Sequence, residues 1–239
     1  MLSAFSFGKL IKTFLPGSIL TVGLYLFVEA LWWVGKHGSI ISILSEEKWR
    51  TVAVGLSLPV ALLLGFLLNT WVWMRVNKAI KDPVIDEVDR SGYRALRQSL
   101  LKVRAEGLAR ITHEPDFASK GPEGFPRESL EYYFLPVVTL ERLGFLWESY
   151  FSWYEFQINS AYAFIVTFFF GAVLLLVKPV TFWLKLVSAI ALIVCGRLLF
   201  EALKAAARKN LLQYDRNLLI LIASSLNHAR ENERRAGSR

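Results

Sequence analysis

The sequence predicts an all-α integral membrane protein with four transmembrane helices in two hairpins. A small helical cytoplasmic domain is expected from the 75–158 segment and the C-terminal helix. Three observations lead there. The 239 residues are 54% hydrophobic, above the share usual for a soluble domain, and the excess falls in four blocks. Tryptophans close the first two blocks, Trp32–Trp33 and Trp71 with Trp73, as suits an apolar ring with a polar edge at a membrane interface. Lys and Arg collect beside the blocks so that three clusters fall on one side of the membrane.

A helix needs about 20 apolar residues to cross the hydrocarbon core. The spans are expected at about 14–34, 52–74, 160–177 and 180–199. The first opens near Pro16–Gly17 after Lys9 and Lys12. Its apolar stretch is too long for a signal-peptide core, and no small-x-small cleavage site follows, so it is read as a retained helix. The third and fourth turn back at Lys178–Pro179. The fourth has a short uninterrupted apolar stretch, bounded by Lys185 and Arg197, whose side chains can reach opposite interfaces. The resulting division is 1–80 and 159–200 as transmembrane hairpins, 81–158 as a cytoplasmic segment, and 201–239 as an amphipathic helix with a frayed tail.

Lys9 and Lys12, then Arg75, Lys78 and Lys81, then Arg197, Lys204, Arg208 and Lys209 all share one side in this arrangement. The positive-inside rule makes that side the cytoplasm and places both termini there, in a bacterial inner membrane. The net charge of +8 suits contact with anionic headgroups, and no nucleic acid is expected as a partner.

In the cytoplasmic segment, Asp82–Pro83 is read as a helix start. From there Ile85, Tyr93, Leu96, Leu100, Val103 and Ile111 fall on one face of a single amphipathic helix. Arg90, Arg94, Arg97 and Arg104 flank that face. Two readings stay open for this stripe: a solvated edge of snorkelling arginines, or a site for anionic lipid or a phosphate-bearing partner. Residues 112–136 are rich in Gly, Pro and charge and read as a loop. His113, Glu114 and Asp116 occur in it, but acid–base chemistry needs a structured pocket, and a proline-broken loop is a poor place to expect one. A helix is expected from Val137 into the third span, with Trp147, Tyr150, Phe151, Trp153, Tyr154 and Phe156 as its interfacial anchor.

In the tail, Ala207, Leu211, Tyr214, Leu218, Leu221 and Ser225 recur at spacings of four and three, a seam of about three heptads. It is read either as packing within one subunit, against the 85–111 helix, or as self-association into a homo-oligomer.

An ionisable group within a span is a functional candidate by default. Glu29 qualifies. Ser57 and Pro59 lie at a similar depth in the second span, so Glu29, Ser57 and the carbonyl freed by Pro59 are expected to form one polar cluster. The alternative is a shallow Glu29 that reaches headgroups or pairs with Lys36 or Lys185. Asn69 is a candidate for an interhelical hydrogen bond and Arg197–Glu201 for an ion pair. Cys195 is read as a small buried hydrophobe. One cysteine and three scattered histidines leave no metal set, and no catalytic or cofactor-binding residue is assigned. Three functions remain, in this order: a membrane sensor, adaptor or scaffold whose cytoplasmic helices engage a protein partner or lipid; an oligomeric pore resting on Glu29 and the tail seam; and a lipid-processing enzyme.

Overall fold

The computed structural model describes residues 7–35, 39–40, 46–112, 130–134 and 138–237. Among them no strand occurs. The helices are α1 (Phe7–Val34), α2 (Glu47–Arg75), α3 (Asn77–Val88), α4 (Arg94–Thr112), the short α5 (Leu130–Tyr133), α6 (Leu140–Leu146), α7 (Ser152–Val177) and α8 (Phe182–Gly237). Turns of π type join α3 to α4 over Asp89–Tyr93 and α6 to α7 over Trp147–Phe151.

Four helical runs are long and apolar enough to cross a membrane: Lys12–Val34, Glu47–Arg75, Leu140–Val177 and Phe182–Ala236. Exposure supports the same reading. Val54, Leu63 and Phe66 of α2, and Trp183, Val187 and Leu198 of α8, are all more than half exposed. Apolar area of that extent is unfavourable in water and suits a lipid surrounding. Cys195 lies on this exposed surface rather than buried as expected. With apolar residues all round the helix, sequence periodicity cannot say which of them face protein.

The chain divides into two compact units, residues 1–79 with 152–209, and residues 80–151 with 210–239. In the first, α1 is central and packs along both α2 and α7, which touch each other little. Lys12 meets Glu155, the Ile19 carbonyl meets Thr167, and Phe27 meets Phe170, so α1 and α7 run parallel. α2 returns antiparallel, with Gly17 against Ala61 and Thr13 against Gly65. A Cβ on Gly17 would collide with the carbonyl oxygen of Ala61, and one on Gly65 with that of Thr13. The two backbones are therefore in contact, which only small residues permit. The first stretch of α8 meets α7 through the Tyr162 and Phe200 rings, 5.3 Å apart, and through Gly196 beside Phe168.

The second unit has its own core. Val84, Val88, Leu100, Leu101, Leu130, Phe134, Leu219 and Ile222 are almost fully buried. Several boundaries differ from expectation here. The helix starts at Asn77 rather than Asp82, with Pro83 inside α3. Proline there removes the helical partner of the Ala79 carbonyl, and the two units divide directly after Ala79. The expected single helix over 85–111 is broken at Ser91 (φ −78°, ψ 15°) and Gly92 (φ +101°, ψ 0°). A left-handed glycine ends α3, and α4 begins two residues later. The expected loop contains α5, held by buried Leu130 and Phe134, while His113, Glu114 and Asp116 lie outside the described residues. The last residues are helical to Gly237 rather than frayed.

Candidate functional site

Glu29 is buried at 1% exposure, but not with Ser57 and Pro59. Its carboxylate accepts hydrogen bonds from Trp33 Nε1 (3.1 Å), Ser39 Oγ (2.6 Å) and the Ile40 backbone N–H (2.9 Å). Ser57 is exposed and donates to the carbonyl of Val54, on its own helix, at 2.6 Å, and Pro59 is exposed as well. The expected cluster is therefore not formed. Depth along two spans says nothing about which way each helix is rotated, and α2 turns this stretch away. Glu29 instead fastens the chain that follows α1. Its replacement by alanine is expected to strand these donors at a cost of about 1–3 kcal/mol. Hydrogen exchange at the Ile40 amide should accelerate about tenfold or more, and an unchanged rate would show that the carboxylate does not hold this segment.

A polar cluster that sequence reasoning missed lies at the end of the first unit where α1 and α7 begin and α2 ends. Lys12 Nζ pairs with Glu155 at 2.5 Å, both largely buried. Asn159, fully buried, donates to Asn69 Oδ1 (2.8 Å) and to the Lys12 carbonyl (3.3 Å). The Tyr154 hydroxyl donates to Asn77 Oδ1 at 2.7 Å. The expected interhelical bond from Asn69 is thus present. Starting the third span at Ser160 left Glu155 and Asn159 out of the intramembrane inventory. Their i, i+4 spacing at the head of an apolar helix was the available sign. Side-chain amides bonded across helices suit a structural joint in lipid.

In the second unit the arginine stripe divides. Arg90 and Arg94 are exposed, on either side of the Gly92 break. Arg97 and Arg104 are buried at 2% and 4%. The break changes the phase between Arg90 and the other three, and within α4 Arg94 falls outside the side that buries Arg97 and Arg104, so the stripe does not stay on one face. Arg97 Nε donates to Asp89 Oδ1 at 2.6 Å, and its two terminal nitrogens engage both oxygens of Asp215 on α8. Burial works against the Arg97 charge, but the bonds and fields of Asp215 and Asp89 outweigh it and hold the guanidinium above its usual range. Burial pushes the Arg104 guanidinium below its usual value, with Tyr133 opposing it. Arg216 reaches the Ser91 hydroxyl at 3.1 Å, which brings a third arginine to the break.

The tail seam also divides. Leu211, Tyr214, Leu218 and Ser225 are buried within the second unit and Leu221 is half-buried, while Ala207 is buried within the first. The partners of Tyr214 are aromatic: Phe151 lies 5.2 Å and Trp147 6.5 Å from its ring. The expected interfacial anchor is therefore split. Trp153 stays exposed, Tyr154 bonds Asn77, and Trp147 with Phe151 serves the second unit's core. Beside Arg97, Phe151 and Tyr214 border a small cavity of about 40 Å³, reached by Lys81 and Asp215 and otherwise walled by apolar side chains.

Together these features define an all-α protein with four helices apolar enough to cross a membrane and a second compact helical unit organised around a buried arginine. No family model matches the chain, and neither a curated protein nor a solved structure shows a significant match. Among the described residues no group of histidine, cysteine and carboxylate side chains could hold a metal ion.

Proposed function

We propose that this chain is a multi-pass membrane sensor or adaptor. Its four apolar helices hold it in the inner membrane with both termini in the cytoplasm, and its second helical unit engages a partner or anionic lipid as a homo-oligomer. The observation that carries the reading is the second unit itself. It has its own core, a buried Arg97 that ties α4 to α8, and an exposed basic surface at the Gly92 break. Arg90 and Arg94 form no ion pair among the described residues, so both guanidinium groups are available to phosphate or carboxylate. The pore reading rested on Glu29 and the tail seam, and the Glu29 carboxylate is taken up by Ser39 and Ile40 just beyond α1.

Gentle solubilisation, cross-linking and mass determination of the intact complex test this. A soluble partner at fixed stoichiometry supports the adaptor reading, and a closed ring of this chain alone favours the pore. The double substitution R90A/R94A is expected to weaken anionic contact by about 2 kcal/mol, near 1 kcal/mol for each arginine close to a charged surface. Native mass spectrometry should then count fewer retained anionic phospholipids, or a lost partner, on an otherwise intact assembly. An unchanged spectrum removes these arginines from the interface.

A further inference from the structure

We propose that the polar joint where α1 and α7 begin and α2 ends binds a single water molecule, which donates to Asn159 Oδ1 and completes the hydrogen bonding of the joint. This goes beyond the sensor reading and does not depend on it. The Asn159 side chain is where the argument starts. It is fully buried, and both hydrogens of its amide nitrogen are engaged, one by Asn69 Oδ1 at 2.8 Å and one by the Lys12 carbonyl at 3.3 Å. A backbone carbonyl can only accept, so the amide nitrogen must face Lys12 and the amide cannot be turned over. Its Oδ1 is left buried with no hydrogen-bond partner among the described residues. An amide oxygen withdrawn from solvent without a donor is costly, and native folds rarely keep one.

A small cavity lies beside this side chain. Asn69, Asn77, Tyr154, Glu155 and Asn159 border it, and all five belong to the first unit. It leaves about 10 Å³ in which the centre of a water molecule can sit, room for one molecule. Apolar cavities stay dry, whereas polar ones hold water that makes about three hydrogen bonds. Here three side-chain amides, a hydroxyl and a carboxylate surround the space. Charge decides between water and a small cation. The Glu155 carboxylate is already matched by Lys12 Nζ at 2.5 Å, so the joint is neutral as it stands. A cation would add an uncompensated charge among buried groups, and water adds none. Water also donates to Asn159 Oδ1 and accepts from an asparagine amide at the same time, which a metal cation cannot do. Asn69 belongs to α2, Asn77 opens α3 and Asn159 lies on α7. One molecule shared among them links α2 to α7, which touch each other little elsewhere.

The test is diffraction from crystals of the full chain grown in a lipid mesophase, at a resolution that shows ordered solvent. Density for one atom is expected about 2.8 Å from Asn159 Oδ1, with about three polar neighbours at hydrogen-bonding distance. It should persist in crystals grown with choline in place of sodium and potassium. A well-ordered Asn159 with no density in the cavity would overturn the site. Density that disappears with the alkali cations would overturn the assignment to water in favour of a bound ion. Asn159→Leu, close in size but without the acceptor, should lose the density altogether. Density retained in that variant would show that the water answers to other groups and not to Asn159 Oδ1. If the variant fails to fold, the two crystals of the unaltered chain decide alone.

Discussion

Replacing Gly65 with valine is expected to force α1 and α2 apart and to lower the thermal midpoint of the solubilised protein by roughly 10 °C. The hydrogen at Gly65 faces the Thr13 backbone, and Gly17 meets Ala61 one turn along. Any Cβ at Gly65 overlaps the Thr13 carbonyl oxygen, and backbone cannot rotate aside as a flexible side chain can. Overpacking of a tight core costs about 1–3 kcal/mol when side chains can yield, so an obstruction by backbone belongs at or above the upper end. For a chain of this size about 3 kcal/mol corresponds to the stated shift. Gly55 on the same helix supplies the control. Nothing lies near its missing Cβ, so Gly55→Val should leave the midpoint within a degree or two. Size-exclusion profiles after stepwise heating read both. Equal behaviour of the two variants would show that α1 and α2 do not meet through glycine.

Arg97→Met is expected to destabilise the second unit by about 3–5 kcal/mol, because it leaves Asp89 and Asp215 facing each other without their shared cation. Arg97→Lys should lose part of this, since a lysine cannot serve two carboxylates with a planar fork. The informative comparison is the triple variant Arg97→Met, Asp89→Leu, Asp215→Leu. Removing a whole buried ion cluster in favour of apolar side chains is often neutral or stabilising, so the triple should recover most of what the single loses. Hydrogen exchange along 94–107 and 210–225 resolves this unit from the rest of the chain. Rapid exchange in the triple as well as the single would mean that Arg97 contributes through shape rather than through charge pairing.

These two sites differ in how far the sequence showed them. The backbone contact of α1 with α2 has a sequence trace, the small residues Ala61 and Gly65 four apart in an apolar run. The Arg97–Asp215 tie has none, because its partners stand 118 positions apart. Arg197 and Glu201, one turn apart on one helix, were readable as a pair and are found at 2.6 Å. Local spacing along a helix is a property of the chain, while a pairing across the fold is not.

The sequence by itself determined the apolar blocks, their four helices and the existence of a buried face on the tail, since each follows from composition and period within a single element. Its period over 85–111 reads as one helix, and so misses the break at Gly92. Only the tertiary structure decided which residues those faces meet. It rotated Ser57 and Pro59 away from Glu29, drew Asn159 to Asn69, and buried Arg97 between two aspartates while leaving Arg90 and Arg94 outside. The physical reason is common to all of these. Hydropathy and helical period specify what each helix tends to bury, whereas rotation about the helix axis is set by the close fit of backbones and the satisfaction of buried polar groups, which exist only once the helices are packed.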